Sequence, residues 1–174
     1  MLKTPRLFLR TFTAADAEPL FQVFHDGDVF RFFPNPSPPA LPRVLNFIER
    51  QIDHEEKYGY GFWAVERQAD RALLGWCGLQ YLPETGETEV GYLLGKASWG
   101  QGFATEAARA CLRAGFQTFS LEQIVAIVHP RNAASIHVID KLGMTFVDRT
   151  YYFGIEVLRY RLAQAAFSAQ VGQG

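Results

Sequence analysis

Residues 99–116, WGQGFATEAARACLRAGF, constrain the chain more than any other stretch. Gly100 and Gly102 are separated only by Gln101, and a helical pattern starts directly after them. Ala104, Ala107, Ala108, Cys111, Leu112, Gly115 and Phe116 recur at spacings of three and four, as on a helix face laid against a sheet. Residues 89–94, Glu-Val-Gly-Tyr-Leu-Leu, read as a strand just before it. A strand, a glycine loop and a helix N-terminus make a site for phosphate oxygens. The first helical N–H groups lack intrahelical partners, and the helix dipole adds partial positive charge there. Glycine lets a ligand approach the backbone, and Thr105 can add a hydroxyl at the same end. The plainer alternative is a glycine turn that only starts a helix.

Two nucleotide motifs are set aside. The loop lacks the Lys-Ser/Thr pair of a P-loop, and Thr105 stands where a third Rossmann glycine would fall. The stretch instead resembles the coenzyme A loop of the GNAT family of N-acetyltransferases, most of all the RimJ/RimL branch that acetylates ribosomal-protein N-termini. That family's Gln/Arg-x-x-Gly-x-Gly/Ala pattern lies on residues 99–104, with Trp99 in place of the Gln or Arg, a departure common in this branch. The resemblance implies that the amides of Gly100, Gln101, Gly102, Phe103, Ala104 and Thr105 hold the pyrophosphate of acetyl-CoA.

The length of 174 residues fits one domain spanning 1–174. With 48% hydrophobic and 20% charged residues, the composition is that of an ordinary globule. A net charge of −1 provides no basic field for nucleic acid. Charges interrupt every apolar run, so neither a signal peptide nor a membrane span is expected. Cys77 and Cys111 form no metal or redox motif and read as reduced core residues of a cytoplasmic protein.

Taken in order, residues 4–10 alternate Leu7 and Leu9 against Arg6, Phe8 and Arg10, as a half-exposed strand does. This PRLxLR opening also resembles the RimJ/RimL branch. Thr13-Ala-Ala-Asp16 looks like a capping box opening a helix to about His25. The proline- and phenylalanine-rich residues 28–42 form a loop after a short helical turn, and its aromatics are either core or the wall of an acceptor site. A helix is expected over 43–57, where Glu49, Asp53, Glu55 and Glu56 are either a solvated face or a lure for a cationic substrate. Residues 60–66 and 73–81 read as strands joined by a hairpin, and 83–88 as a turn. The first helix after the glycine loop should reach about Phe119, followed by a buried strand over 123–129. A second helix starts after Pro130, with Ile136, Ile139 and Leu142 inward and Gly143 as its stop. Its Asn132, Ser135, Lys141 and Gly143 match the family's second motif. Residues 146–147 and 151–162 complete the sheet as a hairpin, and the tail over 163–174 is expected to fray.

The resemblance implies the fold class α/β (α+β): a GNAT fold with a mixed, mostly antiparallel central sheet, splayed at the acetyl-CoA site and flanked by helices. In such folds the strands corresponding to 89–94 and 123–129 part, pantetheine lies between them, and the N–H of Leu93 or Leu94 faces the thioester oxygen. Glu89 shares a strand face with Gly91 and Leu93, which makes it the general-base candidate; an ordinary strand-end carboxylate is the alternative. Glu87 falls in the turn and is the poorer candidate. Many relatives use a tyrosine where this chain has Ile139, so Ser135 becomes the proton donor to the leaving thiolate, or else a helix-cap or core-facing serine. Asn132 caps the helix, binds the pantetheine amides, or both. His129 and His137 read as a strand end and a solvated face.

The expected activity is transfer of acetyl from acetyl-CoA to a primary amine, on a protein N-terminus or a small molecule, by direct attack in a ternary complex without a metal. The alternatives are a polyamine- or aminoglycoside-type acetyltransferase, a relative using a larger acyl-CoA, or a CoA-binding module without turnover. Neither nucleic acid nor membrane is an expected partner, and the chain is read as a monomer or homodimer.

Overall fold

A computed structural model describes residues 1–25, 28–152 and 154–171. Eight strands form one sheet: β1 (Leu2–Lys3), β2 (Leu7–Arg10), β3 (Phe62–Arg67), β4 (Leu73–Leu82), β5 (Glu87–Leu94), β6 (Gln123–Val128), β7 (Thr145–Tyr152) and β8 (Ile155–Ala163). Their order across the sheet is β1-β2-β3-β4-β5-β6-β8-β7. Every neighbouring pair is antiparallel except β5 and β6. A parallel pair needs a crossover, and the long helix α3 (Phe103–Gln117) provides it. The mixed, mostly antiparallel sheet flanked by helices is the expected fold class.

Strand alternation sends side chains to two cores. One face carries Leu7, Leu9, Val65, Cys77, Leu79, Val90 and Leu94 against Phe103, Ala107, Cys111, Leu112 and Phe116 of α3. Apart from Phe103, these helix residues belong to the stripe whose spacing the sequence displays. Cys77 and Cys111 meet here, both buried, with sulfurs 3.7 Å apart and no disulfide. The opposite face carries Phe62, Ala64, Trp76 and Leu93 against α1 (Ala17–Phe24) and α2 (Leu41–Tyr58). Arg10 links β2 to the turn that opens α1 and to β3, meeting Asp16 at 2.7 Å and Glu66 at 3.0 Å. Thr13 N–H donates to Asp16 at 2.8 Å, the reciprocal bond expected of the capping box, although the first turn here is a 3-10 segment.

Three expectations need correcting. The helix expected from Arg43 starts at Leu41, because Pro42 lies in its first turn, where proline has no intrahelical donor to lose. Glu87, read as part of a turn, is the first residue of β5, since the turn closes earlier with Gly86 N–H on Leu82 O. The tail expected to fray over 163–174 forms a helix, α5 (Gln164–Val171), whose Phe167 is buried with its ring 5.0 Å from that of Phe116. Residues 172–174 lie outside the described residues. Among the described residues no helix is long and apolar enough to cross a membrane.

Candidate active site

Between β5 and β6 the sheet comes apart. The two strands share one register pair, Glu89 with Val125, and a cavity of about 180 Å³ opens beside it. Its walls include Glu89, Gly91 and Tyr92 of β5, Val128 and His129 at the end of β6, and Asn132 and Ser135 where α4 (Ala133–Lys141) begins. Phe32, Phe33 and Pro34 of the long loop and Tyr152, Ile155 and Val157 of the last hairpin close the other side. Some of the loop aromatics therefore wall the cavity, whereas Phe30 packs on Phe24 in the core.

Backbone direction in β5 follows from one bond. Gly95 N–H donates to Leu74 O at 2.8 Å, and the register pairs Leu93 with Trp76. Hydrogen-bonded pairs alternate along an antiparallel ladder, so Leu93 N–H is turned to β4 while the N–H groups of Tyr92 and Leu94 face the gap. Of the two amides expected near the thioester oxygen, that of Leu94 faces the gap and that of Leu93 faces β4. The carbonyl of Leu94 already accepts the indole N–H of Trp99 at 2.7 Å. Trp99 thus fastens the glycine loop to the end of β5, a role the sequence does not announce.

The glycines of that loop have left-handed backbones, with φ of +72° at Gly100 and +80° at Gly102, a region that side chains disfavour. Gly102 is the N-cap of α3, and Glu106 N–H is the first to bond back, to Gly102 O at 3.0 Å. The amides of Phe103, Ala104 and Thr105 are therefore left without intrahelical partners. A Cβ on Gly100 would meet nothing within 4 Å, so the loop presents bare backbone to its surroundings. This bare backbone fits the pyrophosphate of acetyl-CoA. Phe103 contributes only its amide, for its side chain is buried.

Arg6 braces the loop from the other end of the chain. Its guanidinium donates to Gln101 O at 2.9 Å, pairs with Glu106 at 2.6 Å and lies 4.5 Å from the centre of the Phe103 ring. Arg6→Met should raise the KM for acetyl-CoA several-fold. Because the Arg6 side chain is half exposed and Glu106 keeps its bonds from Thr4 and the residue 6 backbone N–H, the change should cost only about 1 kcal/mol of stability. Steady-state kinetics beside a melting curve check both, and an unchanged KM would remove Arg6 from the loop's support.

Glu89 is 8% exposed and lines the cavity. Burial alone raises its pKa to about 7, and among the described residues no group donates a hydrogen bond to it. Glu87, by contrast, is held by Arg159 at 3.1 Å and by the Tyr152 hydroxyl at 3.0 Å. Ile139 is buried where a tyrosine is common, as the sequence indicated. Asn132 Oδ1 accepts the Ser135 N–H at 3.2 Å, which makes it the α4 cap. Ser135 lines the cavity, and its backbone carbonyl accepts the Tyr92 hydroxyl at 3.2 Å. Burial pushes the Tyr92 phenol up, so it stays protonated. No local pattern singles out Tyr92, since its relation to Ser135 exists only across the gap. The imidazole of His129 stacks on Phe32, with ring centres 5.3 Å apart, whereas His137 is exposed. Among the described residues no three of His, Cys, Asp or Glu gather as a metal site would need.

Residues 6–145 match the model of the acetyltransferase (GNAT) domain. The uncharacterized protein YkkB of Bacillus subtilis (strain 168) is 34% identical over 149 residues, which cover 83% of this chain and 85% of that one. YoaA of the same organism, described as an uncharacterized N-acetyltransferase, is 30% identical over 145 residues, covering 82% and 81%. Among solved structures, an acetyltransferase from Agrobacterium tumefaciens superposes with a TM-score of 0.81 at 27% identity, covering 92% of each chain.

Proposed function

The chain belongs to the GNAT acetyltransferase family, and from that premise we propose that it is a single-domain enzyme acetylating a primary amine by direct attack, with Glu89 as general base. The observation that carries this reading is the position of Glu89. Its carboxyl group is buried, faces the cavity where β5 and β6 part, and has a pKa raised to about 7. A carboxylate in that range accepts a proton from an ammonium near neutral pH without being too weak a base to do so.

Acetyl-CoA supplies the acetyl group as a thioester and leaves as the free thiol. The Phe103, Ala104 and Thr105 amides, with Gly100, Gln101 and Gly102 as an open approach, are assigned to its pyrophosphate. Leu94 N–H is assigned to the carbonyl oxygen, where a fixed donor stabilises developing negative charge. Glu89 removes the proton from the incoming amine. Ser135, on the cavity wall, relays the last proton: as the C–S bond breaks its hydroxyl protonates the departing sulfur and regains the proton that the amide-forming nitrogen sheds. Asn132 fixes the start of α4 and thereby the direction of Ser135. The loop and PRLxLR resemblance to the RimJ/RimL branch supports a protein N-terminal amine as one acceptor, beside small-molecule amines.

Ser135→Ala should lower kcat about 10-fold or more while leaving the KM for acetyl-CoA near its original value. Tyr92→Phe should do less, because the Tyr92 hydroxyl already donates its proton to the Ser135 carbonyl. A Ser135→Ala effect confined to melting temperature would make that hydroxyl structural. Release of free thiol with a panel of amines tests the activity itself.

A further inference from the structure

The acceptor side of the cavity is apolar. Gly91 brings the backbone of β5 so close to Phe62 that a Cβ there would lie 2.9 Å from its ring, so the ring covers the strand beside Glu89. Phe62 stacks on Trp76, with centres 4.3 Å apart and planes at 25°. Trp76 lines the cavity with Phe32, Phe33 and Pro34, and Ile155 faces it from the last hairpin. The cavity is small, about 180 Å³ in all, and the thioester end of the donor shares it, so a group held beside Glu89 must be compact.

Charge is scarce there. Among the described residues Glu89 is the one carboxylate on the cavity wall. Nearby Glu87 is already engaged by Arg159 and Tyr152. The acidic residues of α2 do not line the cavity: Glu55 accepts the Trp63 indole at 2.8 Å, and Glu49, Asp53 and Glu56 are exposed. A second ammonium carried into this space would lose its water and find no opposite charge.

We propose that the acceptor is a monoamine whose amine-bearing carbon chain carries one compact apolar or aromatic group, and that polyamines and aminoglycosides are poor substrates. This rests on Glu89 and its cavity being the acceptor site. The amine meets Glu89 while its apolar body lies against Phe32, Trp76 and Ile155. A free small amine and the first residue of a peptide share this chemistry.

The test is thiol release from acetyl-CoA by the full chain with phenethylamine, isopentylamine, spermidine, kanamycin and tripeptide amides beginning with Phe or Glu. The kcat/KM for phenethylamine or for the Phe peptide should exceed that for spermidine and kanamycin by about 100-fold or more. Whichever of those two is faster identifies the source of the amine. Ile155→Asp and, independently, Phe32→Asp should each narrow the gap to spermidine at least 10-fold by placing a second carboxylate in the wall. Spermidine or kanamycin equal to the apolar amines, or the Glu peptide equal to the Phe peptide, would overturn the inference while leaving the acetyltransferase reading intact. No thiol release with any amine would overturn both.

Discussion

Glu89→Gln should reduce kcat/KM at pH 7 by about 10²- to 10³-fold for an alkylamine acceptor. The size depends on the acceptor in a way that identifies the step. A peptide N-terminal amine with a pKa of about 7.7 is roughly one-sixth neutral at pH 7, whereas a lysine-like amine at about 10.4 is only about 0.04% neutral. The base has far more to do for the second. For an N-terminal amine the defect should be moderate and should shrink toward pH 9; for an alkylamine it should persist there. In the unaltered enzyme kcat/KM should rise through about pH 7 as the carboxyl group ionises. The same substitution should also change stability, with the opposite benefit. Ionising Glu89 is disfavoured in the fold, so its cost is absent below about 4.5, grows as pH rises to about 7, and is complete above that. Gln carries no such cost. At 1.36 kcal/mol per pH unit the variant should be more stable than the original by on the order of 3 kcal/mol above pH 7, with no difference near pH 4. A variant that is equally active at every pH would sink the assignment of Glu89 and leave water as the proton acceptor.

Gly102→Val should raise the dissociation constant for acetyl-CoA at least 10-fold while the chain stays folded. Crowding by neighbours is not the reason, because a Cβ at Gly102 meets only the Arg6 side chain, at an ordinary 3.5 Å. The backbone is the reason: φ of +80° is one that a β-branched residue avoids, so relief of strain rotates the amides at the head of α3. Any side chain also stands where a phosphate would approach. Calorimetric titration with acetyl-CoA and a far-UV spectrum measure both parts, and an unchanged affinity in a folded variant would take the loop out of the donor site.

Features encoded by local pattern are legible in the sequence. The α3 stripe follows the helical period, and the two glycines mark a backbone that only they adopt easily, so helix and loop can both be read there. Strand alternation alone puts Glu89 on the face of Gly91, and it also separates Leu93 from Leu94 once a single cross-strand bond fixes the phase. The burial of Glu89 is not legible, because it depends on walls contributed by Phe32, Phe33, Pro34, Tyr152, Ile155 and Val157, far away in the chain. Arg6 escapes for the same reason: its partners lie 95 and 100 positions on. The helix at the C-terminus is hidden because its own signal is weak, and what holds it is the contact of Phe167 with Phe116. A phenylalanine within the expected frayed tail is the one hint of it.

The single register pair between β5 and β6 leaves the two parts of the sheet joined there only through Glu89 and Val125. Helices α1 and α2 pack on β3 and β4, α4 on β6 and α5 on β8, while α3 packs on strands of both parts. A donor seated in the gap, as proposed, takes the place of the missing ladder and becomes in effect a removable ninth strand. A ligand that binds only the folded chain adds about 2.7 kcal/mol when present at a hundred times its dissociation constant. The co-substrate is therefore also a structural element, and the enzyme's resistance to unfolding rises and falls with the acetyl-CoA around it.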